Sequence, residues 1–188
     1  MELTEQYLLP VSREHAWEAL RDTAVLRTII PGCESIEADG ENAYTVSMLA
    51  AVGPVKAHFK GRMSLTDIDP PNSYTVVFEG QGGVAGFAKG SAAVTLEADG
   101  ESSTKLSYTA HAQVGGKLAQ IGSRLVDGAA RKVAGEFFKR FTAQMTGETG
   151  AGAESTDEGA APAQAGEAAE QAPAGKGHKS WKAWISKS

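Results

Sequence analysis

The hydrophobic period of this chain changes once, at Gly115-Gly116, and that change limits the folds open to it. Before it, apolar residues alternate with polar ones in short runs. Val55, Ala57, Phe59, Gly61, Met63 and Leu65 fall on one side, while Lys56, His58, Lys60, Arg62, Ser64 and Thr66 fall on the other. This is a strand with one buried and one wet face. After Gly115-Gly116, Leu118, Ile121, Leu125, Ala129, Val133, Phe137 and Phe141 recur at threes and fours to about Met145. That spacing predicts one amphipathic helix of roughly seven or eight turns. An antiparallel sheet and one long C-terminal helix hide both apolar faces only if the sheet curves around the helix. The fold class expected is therefore α+β.

Turn signals divide the alternating part. Glu2–Leu9 is a strand closed by Pro10. Ser12 is a helix N-cap for 13–20, and Asp22 caps a second short helix ended by Pro31-Gly32. Strands follow over 33–38, 43–52, 55–68, 74–80, 90–98 and 104–114, with Asp39-Gly40, Gly53-Pro54, Pro70-Pro71 and Asp99-Gly100 between them.

Of the 188 residues, 1–146 carry every Phe and Tyr, with 14 Lys/Arg and 17 Asp/Glu. Residues 147–175 hold six acids, ten Ala, six Gly, two Pro, no base and no aromatic residue. Such a composition buries too little apolar area to offset its ordering entropy, which predicts a disordered tether; an Ala-rich helix is the alternative. As a flexible coil it averages roughly 30 Å end to end. Residues 176–188 bring back base and apolar bulk together: Lys176, Lys179, Lys182 and Lys187, with Trp181, Trp184 and Ile185. On a helical wheel the tryptophans and Ile185 gather opposite the lysines, which suits an interfacial membrane-binding segment too short to span. A partner-docking peptide with Trp anchors is the rival reading. The start of the chain is acidic and runs into the first strand, so no secretory leader is expected. The net charge of −5 argues against nucleic acid, which demands a basic footprint.

Gly122, Gly128 and Gly135 fall inside the expected helix, beside Ala119, Ala129, Ala130 and Ala134. Two readings stand: close packing of helix on sheet, or small side chains that leave an apolar space unfilled. Gly61, Ala92, Ala110 and Ala112 are small inward strand positions, which favours the space.

The opening strand, Trp17-x-x-Leu20 and Ile30-Pro31-Gly32-Cys33-Glu34-Ser35-Ile36-Glu37 resemble the start of the polyketide cyclase/START-like (SRPBCC) superfamily, whose fold is the helix-grip. Val52-Gly53-Pro54-Val55-Lys56, Gly61, Gly86-Phe87-Ala88-Lys89-Gly90 and Gly115-Gly116-Lys117-Leu118-Ala119-Gln120-Ile121-Gly122 narrow the resemblance to the CoxG family, the G-type subunit of carbon monoxide dehydrogenase. The resemblance covers residues 1 to about 145. It implies an accessory protein, outside the catalytic heterotrimer, associated with aerobic molybdenum carbon monoxide dehydrogenase. It also implies recruitment of that enzyme to the inner face of the cytoplasmic membrane, where electrons pass to the quinone pool.

Signals for catalysis are weak. His15, His58 and His111 lie on separate elements without metal-ligand spacing. Gly80-x-Gly82-x-x-Ala85 precedes a strand rather than a helix, so it is no dinucleotide fingerprint. Ser102-x-x-Lys105 sits in a polar hairpin, and Cys33 reads as a packing residue. The inward strand positions offer almost no acid–base pair, although Tyr7, Tyr44 and Tyr108 are the polar candidates if the chain is a cyclase-like enzyme. A protein–protein adaptor with a filled core is a further alternative.

The expectation is therefore a ligand-binding domain over 1–146 with an elongated apolar pocket. Its lining is assigned to Phe59, Met63, Phe78, Val94, Leu96 and Tyr108 from the sheet, and to Leu118, Ile121 and Leu125 from the helix. The glycine-rich stretch 82–88, with Val84 and Phe87, edges the mouth as a gate. The ligand expected is a membrane lipid, and specifically a respiratory quinone (menaquinone or ubiquinone). No metal is expected.

Overall fold

The computed structural model describes residues 1–147. Seven antiparallel strands form one sheet in the order β1-β7-β6-β5-β4-β3-β2. They are β1 (Glu2–Leu9), β2 (Cys33–Ala38), β3 (Ala43–Val52), β4 (Val55–Asp69), β5 (Ser73–Gln81), β6 (Phe87–Ala98) and β7 (Thr104–Gly115). Two short helices, α1 (Arg13–Ala19) and α2 (Thr23–Ile29), link β1 to β2. Ser12 Oγ accepts from the His15 amide at 3.3 Å and Asp22 Oδ1 from the Ala24 amide at 2.8 Å, which caps both helices at the expected residues. The expected fold class is what the chain adopts: a mixed α+β fold with a curved sheet and a C-terminal helix.

The curvature has a local cause. Gly61 pairs with Gly80, and Gly90 pairs with both Phe78 and Ala112. A Cβ on Gly61 would collide with the Glu79 carbonyl, and one on Gly90 with the His111 carbonyl. The sheet bends along this glycine row because no side chain holds the strands apart there.

The C-terminal helix differs from the single helix expected. A four-residue α3 (Lys117–Gln120) precedes α4 (Ser123–Thr146). Gly122, with φ +95°, caps the start of α4 and breaks the run. The break resets the phase. The buried stripe of α4 holds Val126, Phe138 and Phe141, with Ala130, Ala134, Phe137 and Met145 packed beside it. Leu125 and Val133 are 49% and 42% exposed. Gly128 and Gly135 are also exposed, and no atom lies within 4 Å of a Cβ placed on either. They explain neither close packing nor a cavity wall; Ala130 and Ala134 are the small residues on the sheet-facing side. Gly128→Ala and Gly135→Ala are each expected to stabilise the domain by about 0.5–1 kcal/mol, whereas Gly122→Ala, at a positive φ, is expected to lower stability. Thermal melts of the three variants read the sign directly.

The main core closes under α4. Leu9, Ile29 and Phe141 are 0% exposed and Leu106 1%. Thr104 is buried with them because its hydroxyl donates to the Val11 carbonyl at 2.8 Å. Gly147, with φ +75°, caps the end of α4. The expected tether 147–175 lies outside the described residues beyond Gly147, and the 176–188 segment lies wholly outside them.

Candidate functional site between helix and sheet

Inward-facing strand residues pack as two separate groups. The main core gathers Leu3, Tyr74, Val94, Leu96, Leu106 and Tyr108 with α1, α2 and the second half of α4. A smaller group at the other end holds Phe59, Ala85 and Leu118, with Met48, Ala50, Val52, Val55, Ala57 and Val114 against it. Between them lie Phe78, Ala88, Ala92 and Ala112, inward by strand alternation, half-buried and belonging to neither group. A packed interior leaves no such strip, because buried side chains interdigitate to close contact. The strip is apolar and borders the glycine row.

The residues assigned from sequence scatter over this geometry. Phe59 and Leu118 meet in the smaller group. Met63 borders the main core, and Phe78 lies on the strip. Val94 and Leu96 are inside the main core, Leu96 at 2% exposure. Phe87 and Ile121 are half-buried. Val84 is 78% exposed, on a 3-10 turn over Gly83–Ala85. That turn covers the small group: a Cβ on Gly82 would run into the Phe59 ring. Leu125 is at the surface, with Cδ1 3.3 Å from the position of a Cβ on Gly53.

The structure also brings together a polar group that the strand pattern was expected to lack. Glu5 shares the inward row of β1 with Leu3, Tyr7 and Leu9. Its Oε2 accepts from the Tyr7 hydroxyl at 2.7 Å and the Tyr108 hydroxyl at 2.9 Å. Arg131 of α4 reaches Glu5 Oε1 at 3.7 Å. Phe138 stacks on Tyr7 with ring centroids 3.9 Å apart. One turn before Arg131, Asp127 Oδ1 is buried without a hydrogen-bond partner. The alternation Leu3, Glu5, Tyr7, Leu9 is the signal that places the carboxylate inside. Tyr44 is buried in the main core without joining this group.

Burial, then the bond to the Glu5 carboxylate, pushes the Tyr7 phenol up to about 12. The same causes in the same order raise Tyr108. Burial raises Tyr74 as well. All three phenols therefore stay protonated at neutral pH, and two of them hold Glu5 in place as donors. Their folded-state values lie above the unfolded value of about 10. The stabilisation they give is complete below about pH 10 and fades as pH climbs through the folded values. An absorbance titration of tyrosinate is expected to show Tyr7, Tyr74 and Tyr108 ionising late, together with loss of tertiary structure.

The other candidates behave as surface or packing groups. His58 Nδ1 lies 3.1 Å from Glu34 Oε2, and His111 Nδ1 3.5 Å from Glu2 Oε2, both pairs exposed on the convex face. A shallow open groove of about 530 Å³ runs over that face past Val77, Glu79, Lys89 and His111. Cys33 is half-buried; burial raises its thiol, and Arg27 opposes that rise. Among the described residues no group of three or more His, Cys, Asp or Glu is arranged to hold a metal, and no helix is long and apolar enough to cross a membrane.

A curved antiparallel sheet gripping a C-terminal helix defines a START-like domain, and solved structures agree. A START superfamily protein from Mycobacterium smegmatis superposes with a TM-score of 0.62 at 11% identity, over 79% of this chain and 99% of that one. The Zhui aromatase/cyclase from Streptomyces sp. R1128 gives 0.59 at 11% identity, over 80% and 96%. A conserved protein from Geobacillus kaustophilus gives 0.74 at 31% identity, over 79% and 97%. No curated relative matches. The sequence profile of CoxG, the G-type subunit of carbon monoxide dehydrogenase, matches residues 8–146, and the chain belongs to that family.

Proposed function

We propose that this chain is a non-catalytic accessory protein of an aerobic molybdenum carbon monoxide dehydrogenase. It recruits the enzyme to the inner face of the cytoplasmic membrane and holds a lipid, a respiratory quinone (menaquinone or ubiquinone), between α4 and the sheet. The observation that carries the binding role is the half-buried apolar strip between two separately packed groups. Small side chains at Ala88, Ala92 and Ala112 leave room there for an isoprenoid tail. Family membership supports the dehydrogenase as partner. A quinone held by a soluble carrier links a soluble enzyme to the membrane pool without a span of its own.

The tail supplies the second half of the reading. Trp181, Trp184 and Ile185 suit a bilayer interface, and each of Lys176, Lys179, Lys182 and Lys187 adds about 1 kcal/mol near an anionic surface. Flotation of the dehydrogenase with anionic vesicles is expected only when this chain is present. Truncation after residue 175, or Trp181→Glu with Trp184→Glu, is expected to weaken it. A tail that captures the dehydrogenase without vesicles would assign those residues to protein docking instead.

A second reading has its own observation. Glu5 with two phenols and Arg131 is an inward polar cluster, and Zhui is described as an aromatase/cyclase. A fold at this identity carries no activity with it. Glu5→Gln separates the readings: it is expected to leave binding of an apolar probe in place, whereas a cyclase built on Glu5 loses turnover.

A further inference from the structure

We infer that the end of the domain formed by the 3-10 turn, the β3–β4 tip and the α3–α4 junction is a docking face for an anionic lipid bilayer. This deepens the lipid-binding reading and rests on it.

These segments meet in space. Ala85 of the turn and Leu118 of α3 pack with Phe59, and Val52 and Val55 from the hairpin tip border that group. Leu125, at the start of α4, reaches Gly53 at the same tip. The surface there is apolar where water would favour polarity: Val84 is 78% exposed, beside exposed Ala51, Gly53, Pro54, Gly83 and the 49%-exposed Leu125.

Charge sets the face apart. Residues 48–60, 80–93 and 113–126 contain Lys56, Lys60, Lys89, Lys117 and Arg124 and no Asp or Glu, although 1–146 as a whole hold 17 acids. Lys56, Lys117 and Arg124 are exposed around Val84 and Leu125. Glu34, Glu79 and Asp127 are the acids next to these segments. Like charges gathered round exposed apolar side chains are unfavourable in water. An anionic bilayer reverses both terms, since phosphates neutralise the cations and the headgroup boundary takes the apolar residues.

The face also lies over the ligand route. The 3-10 turn rests on Phe59, at the end of the apolar strip. A lipid leaving the bilayer here reaches the strip without crossing water, an advantage that an acidic protein partner does not offer.

The full-length chain, with its tail intact, tests this by cosedimentation with phosphatidylglycerol or phosphatidylcholine vesicles. Two double variants are compared: Val84→Glu with Leu125→Glu, and Lys117→Glu with Arg124→Glu, whose exposed side chains leave the core untouched. Each is expected to bind phosphatidylglycerol vesicles about tenfold or more weakly than the parent, with binding that falls as salt rises. Uptake of the neutral fluorophore N-phenylnaphthylamine from solution is read in parallel and is expected to be unchanged by the variants. Variants that bind vesicles as the parent does overturn the docking face, as does a parent that binds neither vesicle, and normal dye uptake then leaves the lipid-binding reading standing. A parent that takes up no dye overturns the lipid-binding reading itself.

Discussion

Ala92→Phe is expected to abolish uptake of an apolar ligand while leaving the domain folded. Ala92 faces inward on β6, paired with Val76 and Ala110, and belongs to neither packed group. If the space beside it is unfilled, a phenyl ring enters it without displacing neighbours and occupies the volume a lipid tail needs. The thermal midpoint then holds or rises, and binding of a hydrophobic fluorophore falls about a hundredfold or more, the loss of a buried apolar contact of roughly 3 kcal/mol. If the strip is filled by its neighbours, the same substitution overpacks the core and costs about 1–3 kcal/mol. One variant thus reads both the presence of the space and its use.

Phe141→Ala is expected to cost about 3–5 kcal/mol, a large share of the stability of a domain this size. Phe141 is 0% exposed and fixes the C-terminal half of α4 against the main core. Val133→Ala, on the outer side of the same helix at 42% exposure, is expected to change stability by less than about 0.5 kcal/mol. Urea denaturation of the pair measures which face of α4 is buried.

The contrast between those two residues marks where sequence reading stopped. Strand positions were legible because a period of two survives any curvature of the sheet. Phe59, Met63 and Leu65 therefore fall inward as their alternation indicates. Helix starts were legible at Ser12 and Asp22 because a cap is a local event. The face of α4 was not. Its apparent stripe began at Leu118 and ran through Gly122, whose positive φ ends one helix and starts another. Phase carried across that break exchanges Leu125 and Val133 for Val126 and Phe138.

The site was legible in part, for a similar reason. Small residues on inward strand positions pointed to an interior that side chains do not fill, and Phe78, Ala92 and Ala112 lie there. Glu5 escaped notice because its neighbours on the chain, Thr4 and Gln6, are polar and exposed, so the segment reads as wet. Its inward parity shows only beside Leu3, Tyr7 and Leu9. Its partners Tyr108 and Arg131 lie more than a hundred residues away, and no local pattern joins them. Exposure of Val84 and Leu125 was equally hidden, since an apolar letter states affinity for burial and not whether burial is found within the chain.

The central claim is that the interior carries a membrane lipid. Its most direct test is organic extraction and mass spectrometry of the full-length chain purified, without detergent, from the membranes and cytoplasm of its own host. The expected result is a respiratory quinone recovered in near-stoichiometric amount, and lost from Ala92→Phe. Protein that yields no quinone or other lipid, and that binds none on titration, contradicts the account.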